Sequence, residues 1–276
     1  MQRYRAACES LMIDNEIEKE IIRRLESAQI EHDVRILFAC ESGSRAWGFA
    51  SPDSDYDVRF VYAHKMDWYL SFDVESRRDV IEYPIEDEID CSGWDIRKAL
   101  YLFTRTNGAL LEWLSSPIVY METGPFRTRL SDLAPRSANL VALCYHYSHM
   151  ARGNAREYLF KDSVRLKKYF YVLRPLLAIR YIEAFSLPPP IEFRILVDRV
   201  APPSIVPGIE RLLEIKQNLP ESGLGDPIPE INDFIEAEIE RHGENFKGQG
   251  RPDIITGAEI RENLNILFRE AVYEHA

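Results

Sequence analysis

Residues 41–62, ESGSRAWGFASPDSDYDVRFVY, combine a small-residue turn with two closely spaced carboxylates. The turn is Ser-Gly-Ser at residues 42–44, and it follows a short apolar run. Such a turn can point backbone N–H groups and hydroxyl donors at an anion, and Gly43 lets the chain approach a ligand closely. These residues predict a phosphate-binding turn.

Asp55 and Asp57 alternate about Tyr56, directly before a run of strand-forming residues. If the strand begins there, its two-residue period places both carboxylates on one face. Two neighbouring carboxylates are costly unless a cation neutralises them, and Mg²⁺ is the natural oxygen-liganded partner, with Mn²⁺ as an alternative. Each half of the pattern is common alone as an ordinary turn. Together, between two strands, they indicate phosphoryl or nucleotidyl transfer.

The elements that must position these residues can be predicted from periodicity and β-propensity. An amphipathic helix is expected over residues 14–28, where apolar residues recur at helical spacing. Strands are expected at four short runs that are rich in β-formers. These are residues 33–40, 57–62, 79–83 and 88–91.

After Cys91 the pattern becomes mainly helical. Ser92 and Asp95 are spaced as a capping box, which predicts that a helix opens at residue 92. A longer helix is predicted over residues 155–185, with Leu166, Phe170, Leu173 and Leu177 on one apolar stripe. Pro175 predicts a kink or a restart in that helix.

The predicted fold class is α+β, a mixed β-sheet with flanking helices followed by a mainly helical domain. We expect an α/β catalytic domain over residues 1–120 and a helical substrate- or nucleotide-binding domain over residues 121–276. The 276-residue chain has ordinary fractions of hydrophobic (46%) and charged (29%) residues, which is typical of a soluble globular protein. No apolar window is long enough for a transmembrane helix, and no secretory signal is expected at the N-terminus.

The net charge of −11 argues against a generally basic, nucleic-acid-coating surface. It leaves room for a local basic groove, so it does not exclude a nucleic-acid substrate. The four cysteines are widely spaced, without a CxxC pair or a disulfide framework. We therefore expect a cytoplasmic protein.

Several segments resemble a known family. Residues 43–48 (GSRAWG) followed by 54–57 (SDYD) resemble the signature of the polymerase-β-type nucleotidyltransferase superfamily. Residues 93–100, 111–117 and 167–175 are similar to its RlaP-type branch, which is linked with RNA repair. The likeness covers roughly residues 35–185 and implies a nucleotidyltransferase-type fold and activity.

The resemblance implies roles for residues of the turn and the carboxylate pair. Gly43 and Ser44 would hold the triphosphate of a nucleotide, with Ser42 and Arg45 completing the site, and Asp55 and Asp57 would bind Mg²⁺.

The superfamily normally adds a third carboxylate from a nearby strand. Asp90 is the first choice because it alternates within a strand-like run. Glu82 and Asp95 remain competitors, although Asp95 already has a capping role.

A basic helical face forms a second group of candidates. Lys167, Tyr171 and Arg174 fall at helical spacing on one face, and Lys168 enlarges the positive patch. The spacing alone fits a solvated helix face equally well. The resemblance implies that this helix closes over the nucleotide and supplies cations to its phosphates.

The predicted function is a Mg²⁺-dependent transfer of a nucleoside monophosphate from a nucleoside triphosphate, with ATP expected, to an acceptor hydroxyl. The resemblance suggests an RNA end as acceptor, while a protein hydroxyl or a small molecule such as an aminoglycoside stays open. No membrane partner is expected. The alternative is a nucleotide-binding sensor or toxin–antitoxin component with this fold and little transfer activity.

Overall fold

A computed structural model describes residues 13–161, 163–218, 224–245 and 257–274. Strands are β1 (Val34–Glu41), β2 (Tyr56–His64), β3 (Val80–Glu82), β4 (Ile89–Asp95), β5 (Val119–Glu122), β6 (Val164–Arg165) and β7 (Leu224–Gly225). Helices are α1 (Asn15–His32), α2 (Gly43–Ala46), α3 (Met66–Tyr69), α4 (Ile96–Thr104), α5 (Gly108–Leu114), α6 (Phe126–Ser137), α7 (Leu140–Tyr158), α8 (Lys168–Phe185), α9 (Phe193–Val200), α10 (Val206–Asn218), α11 (Pro229–Asn245) and α12 (Ala258–Tyr273). Within these ranges, no helix is both long enough and apolar enough to cross a membrane.

The described residues fall into two compact units. The first contains β1 to β5 with α1 to α6 and α12, while the second contains residues 47–54 and everything described from α7 to α11. Residues 121–137 and α12 thus lie in the first unit, whereas the sequence pattern predicts a helical domain over residues 121–276. The domain limits at residues 120 and 121 stay a prediction.

The first unit is built on a five-stranded mixed sheet with strand order β3-β4-β2-β1-β5. Strands β2 and β4 are parallel, and the other neighbouring pairs are antiparallel. The second unit is mainly helical and carries the short β6–β7 pair. The predicted α+β class is confirmed, and all four predicted strands are present.

Local sequence explains how the chain enters this sheet. Asp14 caps α1 by accepting a hydrogen bond from the Glu16 N–H at 2.8 Å. Asp33 ends α1 in the left-handed region at φ 49°, so the chain turns directly into β1. The side chains Ile21 and Leu25 of α1 are buried against the sheet. Helix α1 therefore covers one face of the sheet.

The predicted helix start at Ser92 is wrong. Strand β4 continues to Asp95, and α4 begins only at Ile96. Ser92 pairs with Arg59 of β2 on one side and with Glu82 of β3 on the other. Pairing on both edges outweighs the local capping signal. Asp95 is itself the helix cap, accepting a hydrogen bond from the Arg97 N–H at 2.8 Å.

The predicted single helix over residues 155–185 is also wrong. Helix α7 ends at Tyr158 and α8 begins at Lys168, so Leu166 lies before the helix. Pro175 lies inside α8, which continues past it. Burial extends beyond the predicted stripe to residues such as Tyr169 and Val172. A helix enclosed in this way has no single apolar face for periodicity to reveal.

Candidate active site

The Ser-Gly-Ser turn lies directly against the second aspartate of the pair. The Ser42 N–H donates a hydrogen bond to the Asp57 carbonyl oxygen at 2.8 Å. Gly43 has φ 58°, and a Cβ added there would lie only 2.0 Å from Asp57 Oδ2. Glycine is required on both counts, because other residues rarely adopt this φ and none leaves room for the carboxylate. The turn and Asp57 therefore form one compact feature.

Asp57 and Asp90 are brought together by strand register. They face each other as partners in the parallel β2–β4 pair. Arg59 joins them, since its Nη2 donates to Asp57 Oδ1 at 2.9 Å and to Asp90 Oδ2 at 2.6 Å. Its Nη1 also donates to the Asp90 carbonyl oxygen at 2.8 Å. This geometry favours Asp90 among the three carboxylates considered.

The competitors are placed elsewhere. Asp95 pairs with Tyr62, five residues further along β4, which is about 17 Å from Asp90. Its carboxylate caps α4 and accepts the Tyr69 hydroxyl at 2.7 Å. Burial is the main cause that raises its pKa, to about 6. Glu82 is exposed and forms an ion pair with Arg78.

Electrostatic interactions couple the carboxylates of Asp55, Asp57 and Asp90. Burial raises the pKa of Asp57, the Arg59 guanidinium lowers it, and the charges of Asp90 and Asp55 raise it further. Asp55 itself is exposed and lies just before β2. In the described part of the chain, however, no three His, Cys, Asp or Glu side chains are arranged to hold a metal. Arg59 is the cation found between Asp57 and Asp90.

The remaining predicted turn residues differ in accessibility. Ser42 is half-buried, and Ser44 is buried. The Arg45 guanidinium stacks 3.8 Å from the centre of the Tyr56 ring, and its Nε donates to the Asp55 carbonyl oxygen at 3.3 Å. Arg45 thus places a positive charge beside the carboxylates. Binding of a triphosphate by these residues stays a prediction.

The predicted basic face lies in the second unit. The Lys168 ammonium contacts the rings of Tyr158 and Tyr171, at 4.3 and 4.8 Å from their centres. Arg174 is only 1% exposed, and its Nε donates to the Ile191 carbonyl oxygen at 3.2 Å. A solvated helix face is therefore the wrong description for Arg174. The roles of Lys167, Lys168, Tyr171 and Arg174 in nucleotide binding stay predictions.

Sequence reasoning missed Glu41, the last residue of β1. Its carboxylate is fully buried and accepts hydrogen bonds from the Asp57 N–H at 2.9 Å and the Tyr120 hydroxyl at 2.5 Å. Burial raises its pKa to about 7, opposed by the hydrogen bonds from Tyr120 and the Asp57 N–H, while the Asp57 charge raises it. A glutamate that ends an apolar strand beside the glycine turn was the available signal. Glu41 fixes the Asp57 backbone.

The Glu41 pKa predicts a pH dependence of stability. The folded protein holds the proton up to about pH 7, whereas the ordinary value is 4.5, so protonation favours folding. The stabilisation is complete below pH 4.5 and is lost as the pH rises through about 7, by about 3 kcal/mol. We expect Glu41→Gln to flatten this fall in urea denaturation curves recorded across the window.

The control for this measurement is Glu82→Gln, which changes an exposed carboxylate on the same sheet. Its stability should follow the wild-type pH curve. A Glu41→Gln curve parallel to wild type throughout the window would show that another group binds the proton.

Comparisons with known proteins show the family of the chain. The model of the RNA repair pathway DNA polymerase beta family (RlaP) matches residues 17–270. The uncharacterized protein YcgL of Bacillus subtilis (strain 168) is 48% identical over 226 residues, covering 82% of this chain and 86% of YcgL.

A crystal structure of a nucleotidyltransferase-like protein from Exiguobacterium sibiricum 255-15 aligns over 92% of this chain and 90% of that one. Its TM-score is 0.30 and its sequence identity 12%.

Proposed function

Because the chain belongs to the RNA repair pathway DNA polymerase beta family, we propose that it is a Mg²⁺-dependent nucleotidyltransferase. It transfers a nucleoside monophosphate from a nucleoside triphosphate to an acceptor hydroxyl and releases pyrophosphate. The observation that carries this proposal is the contact between the Gly43 turn and Asp57, with Asp90 in register beside it. This contact brings a turn suited to anion binding next to two carboxylates.

The chemistry of the carboxylates fits a hard divalent cation. Asp55, Asp57 and Asp90 offer only oxygen donors, which is what Mg²⁺ prefers. Burial is the main cause that raises the pKa of Asp57, the charges of Asp90 and Asp55 raise it further, and a bound cation would offset these costs. When bound, Mg²⁺ would neutralise phosphate charge and favour ionisation of the attacking hydroxyl. Arg59 bonds one oxygen of Asp57 and one of Asp90, so a metal would share these carboxylates with Arg59 or displace it.

The protein residues have distinct tasks in this reaction. The 42–44 turn and Arg45 hold the triphosphate, and the β1–β2 pairing fixes the turn against Asp57. Held in this position, the α-phosphorus can be attacked in line by the acceptor oxygen. The new P–O bond forms as the bond to the pyrophosphate oxygen breaks. The proton of the hydroxyl passes to a neighbouring carboxylate, and we assign this role to Asp90.

ATP is the expected nucleotide, and an RNA end is the expected acceptor. The support for RNA is the description of the family, which places it in an RNA repair pathway. A short RNA end is compatible with a net charge of −11, because only a few phosphates need local cations.

A nucleotide-binding sensor is the second candidate. It is favoured by Arg59, whose bonds to both Asp57 and Asp90 offset part of their negative charge without a metal. If Arg59 keeps them, nucleotide binding would occur with little transfer.

One experiment tests the proposal and separates the two candidates. The protein is incubated with Mg²⁺, each α-labelled nucleoside triphosphate in turn, and RNA, protein or metabolite fractions. We expect pyrophosphate release together with label in the RNA fraction. Label in another fraction would keep the transferase and replace the acceptor. Binding in a thermal-shift assay without pyrophosphate release would instead identify a sensor.

A further inference from the structure

A pocket in the first unit lies apart from the carboxylates. We call it the Trp68 pocket. Its volume of about 340 Å³ falls within the range of small-ligand sites, about 300–1,000 Å³. Its lining combines aromatic rings with two arginines at the end of β2. The lining includes Tyr62, His64, Trp68, Arg77, Arg78 and Glu82.

The aromatic wall of the Trp68 pocket is pre-arranged. The His64 and Trp68 rings are stacked, with centres 4.1 Å apart and planes only 9° from parallel. Tyr62 meets His64 edge-on, with ring centres 5.4 Å apart. Flat rings held in this way offer a surface on which a further planar ring can pack.

Two guanidinium groups supply positive charge beside this wall. The Arg77 guanidinium lies 5.6 Å from the centre of the Trp68 ring and pairs with Asp73 at 3.1 Å. Arg78 pairs with Glu82 at 2.5 Å. Both ion pairs are partly or largely exposed to solvent, and such pairs contribute little to stability. A phosphate can therefore compete for these arginines, with bidentate geometry available.

The position of the pocket separates it from the transfer chemistry. His64 lies seven residues beyond Asp57 on the same strand, a span of about 23 Å. A nucleotide whose α-phosphate lies at Asp57 and Asp90 does not extend that far. A ligand of the Trp68 pocket is thus a different molecule, or a distant part of a long one.

We propose that the Trp68 pocket is a second nucleotide-binding site, which takes a planar base with its phosphate. The base packs against the His64–Trp68 wall, Arg77 and Arg78 bind the phosphate, and Glu82 accepts a hydrogen bond from an amino or hydroxyl group. The ligand is either a free mononucleotide or one nucleotide of a single-stranded chain, since both carry the same recognised groups.

Binding without divalent metal tests this site separately from catalysis. Calorimetry with adenosine monophosphate and fluorescence anisotropy with a labelled single-stranded RNA oligonucleotide are run in EDTA at low salt. We expect at least one of the two to bind, and Trp68→Ala or Arg77→Ala to weaken that binding about tenfold or more. Circular dichroism checks that each variant is folded. Binding of the mononucleotide alone indicates a small-molecule site, and binding of RNA alone indicates a strand site.

One control lies close to Trp68 in the chain, and the other lies elsewhere in the same unit. Phe72 is fully exposed three residues after α3, the helix that carries Trp68, and lies outside the pocket lining, so Phe72→Ala should bind normally. Arg269 forms a similar surface ion pair with Glu262, and Arg269→Ala should also bind normally. The Asp57→Asn variant, which we expect to be inactive in transfer, should keep this binding. The proposal is overturned if neither ligand binds, or if both pocket variants bind as tightly as Phe72→Ala.

Discussion

Asp57→Asn is expected to reduce nucleotidyl transfer by about a thousandfold or more while the protein stays folded. Asp57 is the carboxylate that joins all other parts of the candidate site. Its Oδ2 lies against the Gly43 turn, its Oδ1 accepts from Arg59, and its neighbour in register is Asp90. Asparagine keeps the shape but removes the negative charge that a divalent cation requires.

Stability should change little in Asp57→Asn. Burial already penalises the charged carboxylate, as the raised pKa of Asp57 shows, so removing the charge relieves that penalty. Arg59 keeps its two bonds to Asp90. Urea denaturation should confirm a folded protein, and pyrophosphate release measures the loss of activity.

Asp53→Asn is the control for Asp57→Asn, because it neutralises an exposed aspartate four residues earlier. We expect it to retain most of the wild-type activity. Substantial turnover by a folded Asp57→Asn protein would contradict the assignment of Asp57 and with it the proposed reaction.

Much of the first unit could be predicted from the sequence because its strands are short, apolar and bounded by turns. The strand predicted over residues 57–62 corresponds to β2, which is slightly longer and covers residues 56–64. The prediction that a helix starts at Ser92 was wrong because a capping box is a local signal, whereas β4 is extended by pairing with strands on both sides. The break between α7 and α8 was not predicted, because α8 is buried on several sides and has no single apolar face whose spacing would mark where the helix begins.

The candidate site was predictable to the extent that it is local. The spacing of Gly43, Asp55 and Asp57 is a property of one segment, and the structure places Asp57 against that turn. Asp90 was the first choice because it alternates within a strand-like run, but its position beside Asp57 depends on strand pairing, which one sequence does not specify. Arg59 and Glu41 were missed because their importance arises from partners across the sheet, namely Asp90 and Tyr120.

Gly43→Ala is expected to reduce transfer by about a hundredfold or more and to lower the free energy of unfolding by roughly 2–4 kcal/mol. Two effects combine. The residue has φ 58°, which strains any residue with a Cβ, and that Cβ would lie 2.0 Å from Asp57 Oδ2 and 2.8 Å from its Cγ. Asp57 must therefore move, and displacement of a reacting group by about 1 Å can cost about a hundredfold in rate.

Gly48→Ala separates these two effects. Gly48 also has a positive φ, 81°, but a Cβ there would meet nothing within 4 Å. We expect Gly48→Ala to cost about 1 kcal/mol through backbone strain and to leave transfer largely intact. Pyrophosphate release and urea denaturation on both variants make the comparison. Equal losses of activity in the two would mean that backbone strain, and not the contact between Gly43 and Asp57, determines the effect. A loss of activity in Gly43→Ala alone would show that position 43 requires glycine because the Asp57 carboxylate occupies the space of a Cβ.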